Sequence, residues 1–281
     1  PLFTDYDKRV VYATYDVTDY FSTGSNAFGI LLGNGWYSLP TRDVFGMHDA
    51  NWHTPPKVRL NVVVEYESGA RDVIVTDRTW KWGHGEIVYN SVRSGETIDH
   101  TKSVHGWNEP GFCDSLWRNV CHVPAPLGKL TADPMPPMRV AKELKPVGIT
   151  ETGPGVYLVD FGENLTGWVE TRVRGSRGQT VELQFNEVLK ADGSLDTQNS
   201  TWHTRGRYQT ELLILGGDGE ETFEPRFTYH GFRYMQVRGL AYKPAPEDFT
   251  AKCVHTDLQR AGNFSCSMDK LNDLNAAVCR T

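Results

Sequence analysis

The sequence is short of basic charge: 29 Lys and Arg against 35 Asp and Glu leave a net charge of −6. That excludes a general binder of nucleic acid or of an anionic membrane, which needs a surplus of cations. No run approaches the roughly 18 apolar residues that a membrane helix requires. The five cysteines (Cys113, Cys121, Cys253, Cys266, Cys279) are odd in number, scattered and without a CxxC pair. They form neither a disulfide framework nor a zinc pattern and read as reduced thiols. There is no Gly-x-Ser-x-Gly elbow and no His-Glu-x-x-His pair, and Gly33-Asn34-Gly35 lacks the third glycine and following helix of a phosphate loop, so it reads as a turn. His48 and His53, beside Asp43 and Asp49, match no zinc spacing and read as a polar loop. The start, Pro1-Leu2-Phe3-Thr4, has neither an initiator Met nor a basic and apolar leader, and Thr281 follows no helix cap. Both ends are expected to be cuts in a longer protein, which leaves the compartment open. The sequons at Asn164, Asn199 and Asn263 are near what chance supplies and carry little weight.

What the chain does have is length and alternation. With 281 residues, 39% of them hydrophobic and 11% aromatic, it can bury real cores in about two domains. Period-two alternation dominates from about residue 10 to about residue 255, as in Val58, Leu60, Val62 and Val64 against Arg59, Asn61, Val63 and Glu65. Similar segments run over 10–17, 26–32, 72–76, 156–161, 168–173, 180–185, 208–215 and 232–237. Short strands at regular spacing predict an all-β chain of two consecutive antiparallel β-sandwich, jelly-roll-like domains. Seven prolines between Val123 and Gly155 mark an extended connection with at most an edge strand, and the boundary is set near residue 145. The units are then 1–145, 146–258 and a linker with a helix at 259–281. That helix is capped by Ser267 and carries Met268, Leu271, Leu274 and Val278 on one face, a stripe that must be buried against something.

Aromatics are the most informative candidates for chemistry. Six of the eight tryptophans, Trp36, Trp52, Trp80, Trp82, Trp107 and Trp117, lie in the first half. Flat rings beside amides and carboxylates are what a pyranose demands, although each ring can equally fill a core. The candidate sugar-binding set is Trp36, Asn90, Glu96, Asp99 and Trp107. Asp43, Asp49, Asn51, Asn90 and Asp99 offer hard oxygens that suit calcium, without EF-hand spacing. A glycosidase dyad needs two carboxyls about 5 to 10 Å apart, and Glu96 with Asp99 is the pair to consider, each residue being equally at home as a loop hydrogen-bonding group.

Several phrases resemble one family. Tyr12-Ala13-Thr14-Tyr15-Asp16-Val17-Thr18, Asn26-Ala27-Phe28-Gly29, Gly33-Asn34-Gly35-Trp36-Tyr37, Gly95-Glu96 and Gly106-Trp107 are similar to the N-terminal β-sandwich of bacterial α-L-rhamnosidases of glycoside hydrolase family 78. Residues 160–168 (Asp160-Phe161-Gly162-Glu163-Asn164-Leu165-Thr166-Gly167-Trp168) and 224–234, from Glu224-Pro225-Arg226-Phe227 to Gly231-Phe232-Arg233-Tyr234, resemble the sandwich that precedes that family's catalytic domain. The resemblance implies that the acid and base sit in a helical (α/α)6 barrel, of which this chain holds only the first helix. It therefore assigns no catalytic residue here, implies that this segment alone is inactive, and makes rhamnose-containing glycosides and a C-terminal helical catalytic domain the partners. Some members' first sandwich binds L-rhamnose with calcium, and here Asn90-Ser91-Val92-Arg93-Ser94 replaces a stretch richer in Asp and Tyr, which puts that ability in doubt. Read for themselves, Gly162 and Gly167 bracket a loop between two strands, and Phe232 and Tyr234 share a face opposite Arg233.

Overall fold

The computed structural model describes residues 3–198, 201 and 204–279; the Asn199 sequon lies outside the described residues. In chain order the strands of the first part are β1 (Arg9–Tyr12), β2 (Asn61–Glu65), β3 (Arg71–Val75), β4 (Lys81–Trp82), β5 (Ile87–Ser91), β6 (Gly95–Asp99), β7 (Arg118–Asn119) and β8 (Lys129–Ala132). They are followed by β9 (Met138–Leu144), β10 (Gly148–Gly153), β11 (Val156–Arg174), β12 (Thr180–Asn186), β13 (Thr210–Ile214), β14 (Glu220–Phe223), β15 (His230–Arg238) and β16 (Phe249–Thr256). The single α-helix of the described residues, α1, spans Asp269–Val278. The chain is all-β, as its alternation predicts.

Ten strands form one sheet in the order β5-β6-β13-β12-β15-β11-β16-β9, with β10 and β14 also paired to β11. Its inward residues make the core: Phe161, Phe185, Phe223, Phe232 and Phe249 are each at most 2% exposed and pack with Leu183, Met235 and Val237. Each buried Phe contributes about 1.5 to 3 kcal/mol through area removed from water. The rest of the first part pairs in two-stranded ladders only, β1 with β8, β2 with β3 and β4 with β7. Strands β5, β6 and β9 lie on the N-terminal side of the expected boundary at 145, yet they are hydrogen-bonded members of the large sheet.

Several local expectations need correction. First, 156–161 and 168–173 are one strand: β11 continues through a bulge between Asp160 and Leu165. Gly162 takes φ +82° there, and a side chain at Gly167 would strike the Lys252 carbonyl at 1.8 Å, so both glycines serve the ladder and not a loop. Second, Phe232 and Met235, three apart, both enter the core while Tyr234 pairs with Asp160 on the other side, because the bulge breaks alternation. Third, residues 26–32 form no strand: the Asn26 side chain bonds Ser22 and Gly24, and the backbone at Gly29 lies under the Trp107 ring. Fourth, the proline-rich stretch carries β8, β9 and β10, not one edge strand. Fifth, pairing is not uniformly antiparallel, since β1–β8 and β6–β13 run parallel. Helix α1 starts after Met268, with no side-chain cap from Ser267, and Met268, Leu271, Leu274 and Val278 are all exposed.

Candidate functional site

The five sugar-binding candidates do not converge. Asn90 and Glu96 face each other across the β5–β6 hairpin and are both buried. The Asn90 side chain accepts from the Asn34 amide at 2.7 Å and its carbonyl accepts from Asn34 Nδ2 at 2.8 Å. Glu96 accepts from the backbone amides of Arg226, at 3.1 and 3.2 Å, and of Phe227. Burial, reinforced by the charge of Glu211, pushes its carboxyl up to about 7 against the pull of those two amides and of Arg226. Asp99 takes the Thr101 amide at 3.0 Å and pairs with Lys102 at 2.9 Å. Burial raises the Asp99 carboxyl, but the Thr101 and Lys102 donors outweigh it and hold the group below its ordinary value. Trp36 is half-buried, with the Arg93 guanidinium 5.0 Å from its ring centroid. Trp107 belongs to a different place.

Glu96 and Asp99 also fail as a hydrolytic pair. Three positions apart on one strand, they leave opposite faces of β6, and both are spent on backbone donors. Calcium fares no better with the oxygens marked in the sequence. It takes six to eight oxygen ligands, whereas the Asp43 carboxylate accepts from the amides of Phe45 and Met47 and pairs with Arg93. Asn90 and Asp99 are occupied as described, and among the described residues no three His, Cys, Asp or Glu side chains are grouped to hold a metal. Asp43, Asn90 and Asp99 are thus engaged by other partners.

The structure brings together a set of aromatics that linear reading split. A cleft of about 390 Å³ is lined by Phe28, Trp80, Trp107 and Trp117, with Asn26, Lys81 and Asp114 among its polar groups. Local sequence explains how the indoles come to lie there. A Cβ at Gly29 would stand 1.9 Å from the Trp107 ring, and one at Gly83 would stand 2.7 Å from Trp117, so each ring rests on a glycine backbone that no other residue could offer. Trp80 donates to the Val75 carbonyl at 3.1 Å and tilts against Phe28 at 5.7 Å between centroids, while Phe112 meets Trp117 edge-on at 5.4 Å. Lys81 reaches Asp114 at 2.7 Å, which leaves charged donors and acceptors beside apolar ring faces. Such a cleft can pack the C–H face of a sugar and bond its hydroxyls. No sequence signal joins Trp107 to Gly29 or Trp117 to Gly83, because the partners are far apart in the chain.

Comparison with known proteins gives this geometry a family. The model of the α-L-rhamnosidase N-terminal domain matches residues 1–142, and that of the bacterial α-L-rhamnosidase concanavalin-like domain matches residues 150–255. The chain belongs to the bacterial α-L-rhamnosidase family. An α-L-rhamnosidase of Streptomyces avermitilis is 38% identical over 279 residues, covering 99% of this chain and 26% of its own length. The crystal structure of the Streptomyces avermitilis enzyme complexed with L-rhamnose superposes over the whole chain at a TM-score of 0.89 and 36% identity, using 27% of that chain. The α-L-rhamnosidase of Dictyoglumus thermophilum does so at 0.87 and 36%, using 30%. The chain thus spans less than a third of the length of these rhamnosidases, and it carries the family's N-terminal and concanavalin-like domains.

Proposed function

We propose that this chain is the non-catalytic N-terminal region of an α-L-rhamnosidase, a β-rich scaffold for a helical catalytic domain of the same protein. In the parent enzyme that domain would hydrolyse terminal α-L-rhamnosides with inversion, one carboxylic acid protonating the leaving oxygen and one carboxylate activating water. The observation that carries this reading is that the chain is matched end to end by rhamnosidases of which it spans only 26 to 30%. The division into 1–145, 146–258 and 259–281 stays part of the proposal, with β5–β6 and β9 as the strands by which the first unit enters the second unit's sheet. The test is release of nitrophenol from 4-nitrophenyl α-L-rhamnoside, with the Streptomyces avermitilis relative as control. No turnover by this chain is expected; turnover that Glu96→Gln abolishes would restore the self-contained hydrolase.

The aromatic cleft supports a second role for the first unit, recognition of a rhamnoside without calcium. That reading rests on the rings of Trp80, Trp107 and Trp117 in one cleft, with the Lys81–Asp114 ion pair beside them. Calorimetric titration with L-rhamnose should give weak, saturable heat that a chelator leaves unchanged. Trp107→Ala should weaken it about tenfold, since a stacked ring is worth about 0.5 to 1.5 kcal/mol beyond its area. Heat that vanishes on chelation, or an affinity that Trp107→Ala leaves unchanged, would refute this site.

A further inference from the structure

Glu96 occupies the meeting point of three pieces of chain: its own hairpin β5–β6, strand β13, and the turn through Arg226 and Phe227 that leads into β15. Its side chain is 0% exposed, and among the described residues it has no ion-pair partner within 4.0 Å. The amide of Phe227 donates to Oε1, and that of Arg226 is shared between Oε1 and Oε2. The Glu96 amide in turn donates to Glu211 Oε2 at 2.5 Å, so a second carboxyl is held beside the first. The other oxygen of Glu211 is 2.5 Å from Nε2 of the buried His230, whose ring stacks on Phe185. From the remaining side, Arg207 donates to Thr97 Oγ1 at 2.8 Å and stacks on Tyr89, 4.5 Å from its centroid. The joint is tight: a Cβ at Gly95 would fall 2.2 Å from the Thr210 carbonyl. Glu211, Arg226, His230, Arg207 and Tyr89 are therefore the ionisable groups that β5, β13, β15 and the turn present to this site.

We infer that Glu96 is a proton-operated joint between the first segment and the large sheet. Protonated, it is a neutral acceptor that seats residues 226–227 on the hairpin. Deprotonated, it binds those two amides more strongly, but the new charge lies beside Glu211 in a site closed to solvent, and that penalty exceeds the gain, so the joint opens more readily. Because burial and Glu211 lift the folded group from 4.5 to about 7, the folded joint holds a proton that the opened joint releases. The stabilisation is therefore complete below the ordinary carboxylate value, declines as pH rises towards 7, and stays low above it. Carboxyls that the fold holds below their ordinary values, such as Asp99 and Asp160, act in the opposite sense and at lower pH. The acidity of the surroundings thus sets how firmly the first segment is held.

The test is amide hydrogen exchange at Arg226 and Phe227 in this chain from pH 5 to 8, corrected for the intrinsic pH dependence of exchange. The opening constant should rise by close to tenfold per pH unit at first and level off above pH 7, on the order of a hundredfold in all. Glu96→Gln, a neutral isostere, should flatten the profile, and Glu211→Gln should move its midpoint to lower pH. A flat wild-type profile, protection that grows with pH, or a slope that survives Glu96→Gln would overturn the inference. Should Glu96→Gln not fold, the wild-type profile and the Glu211→Gln shift decide it alone.

Discussion

Residues 148–256 and residues 3–132 use opposite means to hold a shape. The later region aligns its apolar side chains on one face of a large sheet, and almost all the buried hydrophobic residues belong to it. Among the described residues before Ile98, Leu39 is the one hydrophobic side chain that is fully buried, and Val73, Ile74 and Val75 of β3 are exposed. Two-stranded ladders such as β2–β3 are marginal by themselves. The first region makes up the difference with rings laid on glycine, Trp107 on Gly29 and Phe227 on Gly33, and with the β5–β6 hairpin lent to the large sheet. One region stands on its own core; the other is held by what it shares with its neighbour.

That contrast can be broken from either side. The largest effect should come from Phe232→Ala, which empties a fully buried site in the sheet and should cost about 3 to 5 kcal/mol, read as a lower midpoint of global denaturant unfolding. Gly33→Val comes next. It drives a side chain into the Phe227 ring, where even a Cβ would stand 2.2 Å away, and should cost about 1 to 3 kcal/mol. Its signature is faster amide exchange in the first region while β11 and β15 keep their protection; uniform loss in both would show a single cooperative unit. Asp160→Asn removes a two-pronged bond to Arg233, with distances of 2.8 and 2.9 Å. Both groups are partly exposed, so about 1 kcal/mol or less is expected. The Arg233 guanidinium holds the Asp160 carboxyl below its ordinary value, so this contribution is present above the usual carboxylate range and fades as pH falls through the lowered one. Thermal midpoints of the two proteins at pH 7 and pH 3 should therefore converge at the lower pH. Leu274→Asp, on the open stripe of α1, should change stability by no more than about 0.5 kcal/mol, because the residue is 59% exposed and belongs to no core.

The strands were legible where one face meets a core and the other meets solvent, as in β12, whose Val181, Leu183 and Phe185 alternate with Glu182 and Gln184. They were illegible where the partner is a ring or a turn: residues 26–32 alternate well, yet Asn26 closes a local turn and Gly29 serves Trp107. The bulge in β11 was hidden because Gly162 reads equally as a loop glycine. At the candidate site, the sequence shows the abundance of tryptophan in the first half but not which rings share a cleft. Trp107 and Trp36 are equivalent candidates by type, whereas the fold sets Trp107 beside Trp80 and Trp117. Glu96 stands in the sequence as a sugar-binding candidate and as a partner for Asp99, while its environment comes from Glu211, Arg226 and Phe227, more than a hundred positions away. No local pattern reports a contact of that span.

The parallel pairing of β6 with β13 has a consequence in time. Glu96 and Glu211 are 115 positions apart, so at about 5 to 20 residues per second a ribosome needs roughly 6 to 23 s to supply the second after the first. Through that interval the hairpin has no sheet to join, and the carboxyl destined for the driest place in the molecule is an ordinary acid in water. It is the arrival of the later strand and of the turn at 226–227 that withdraws it from solvent, so the joint cannot close until residues 211–227 have left the ribosome.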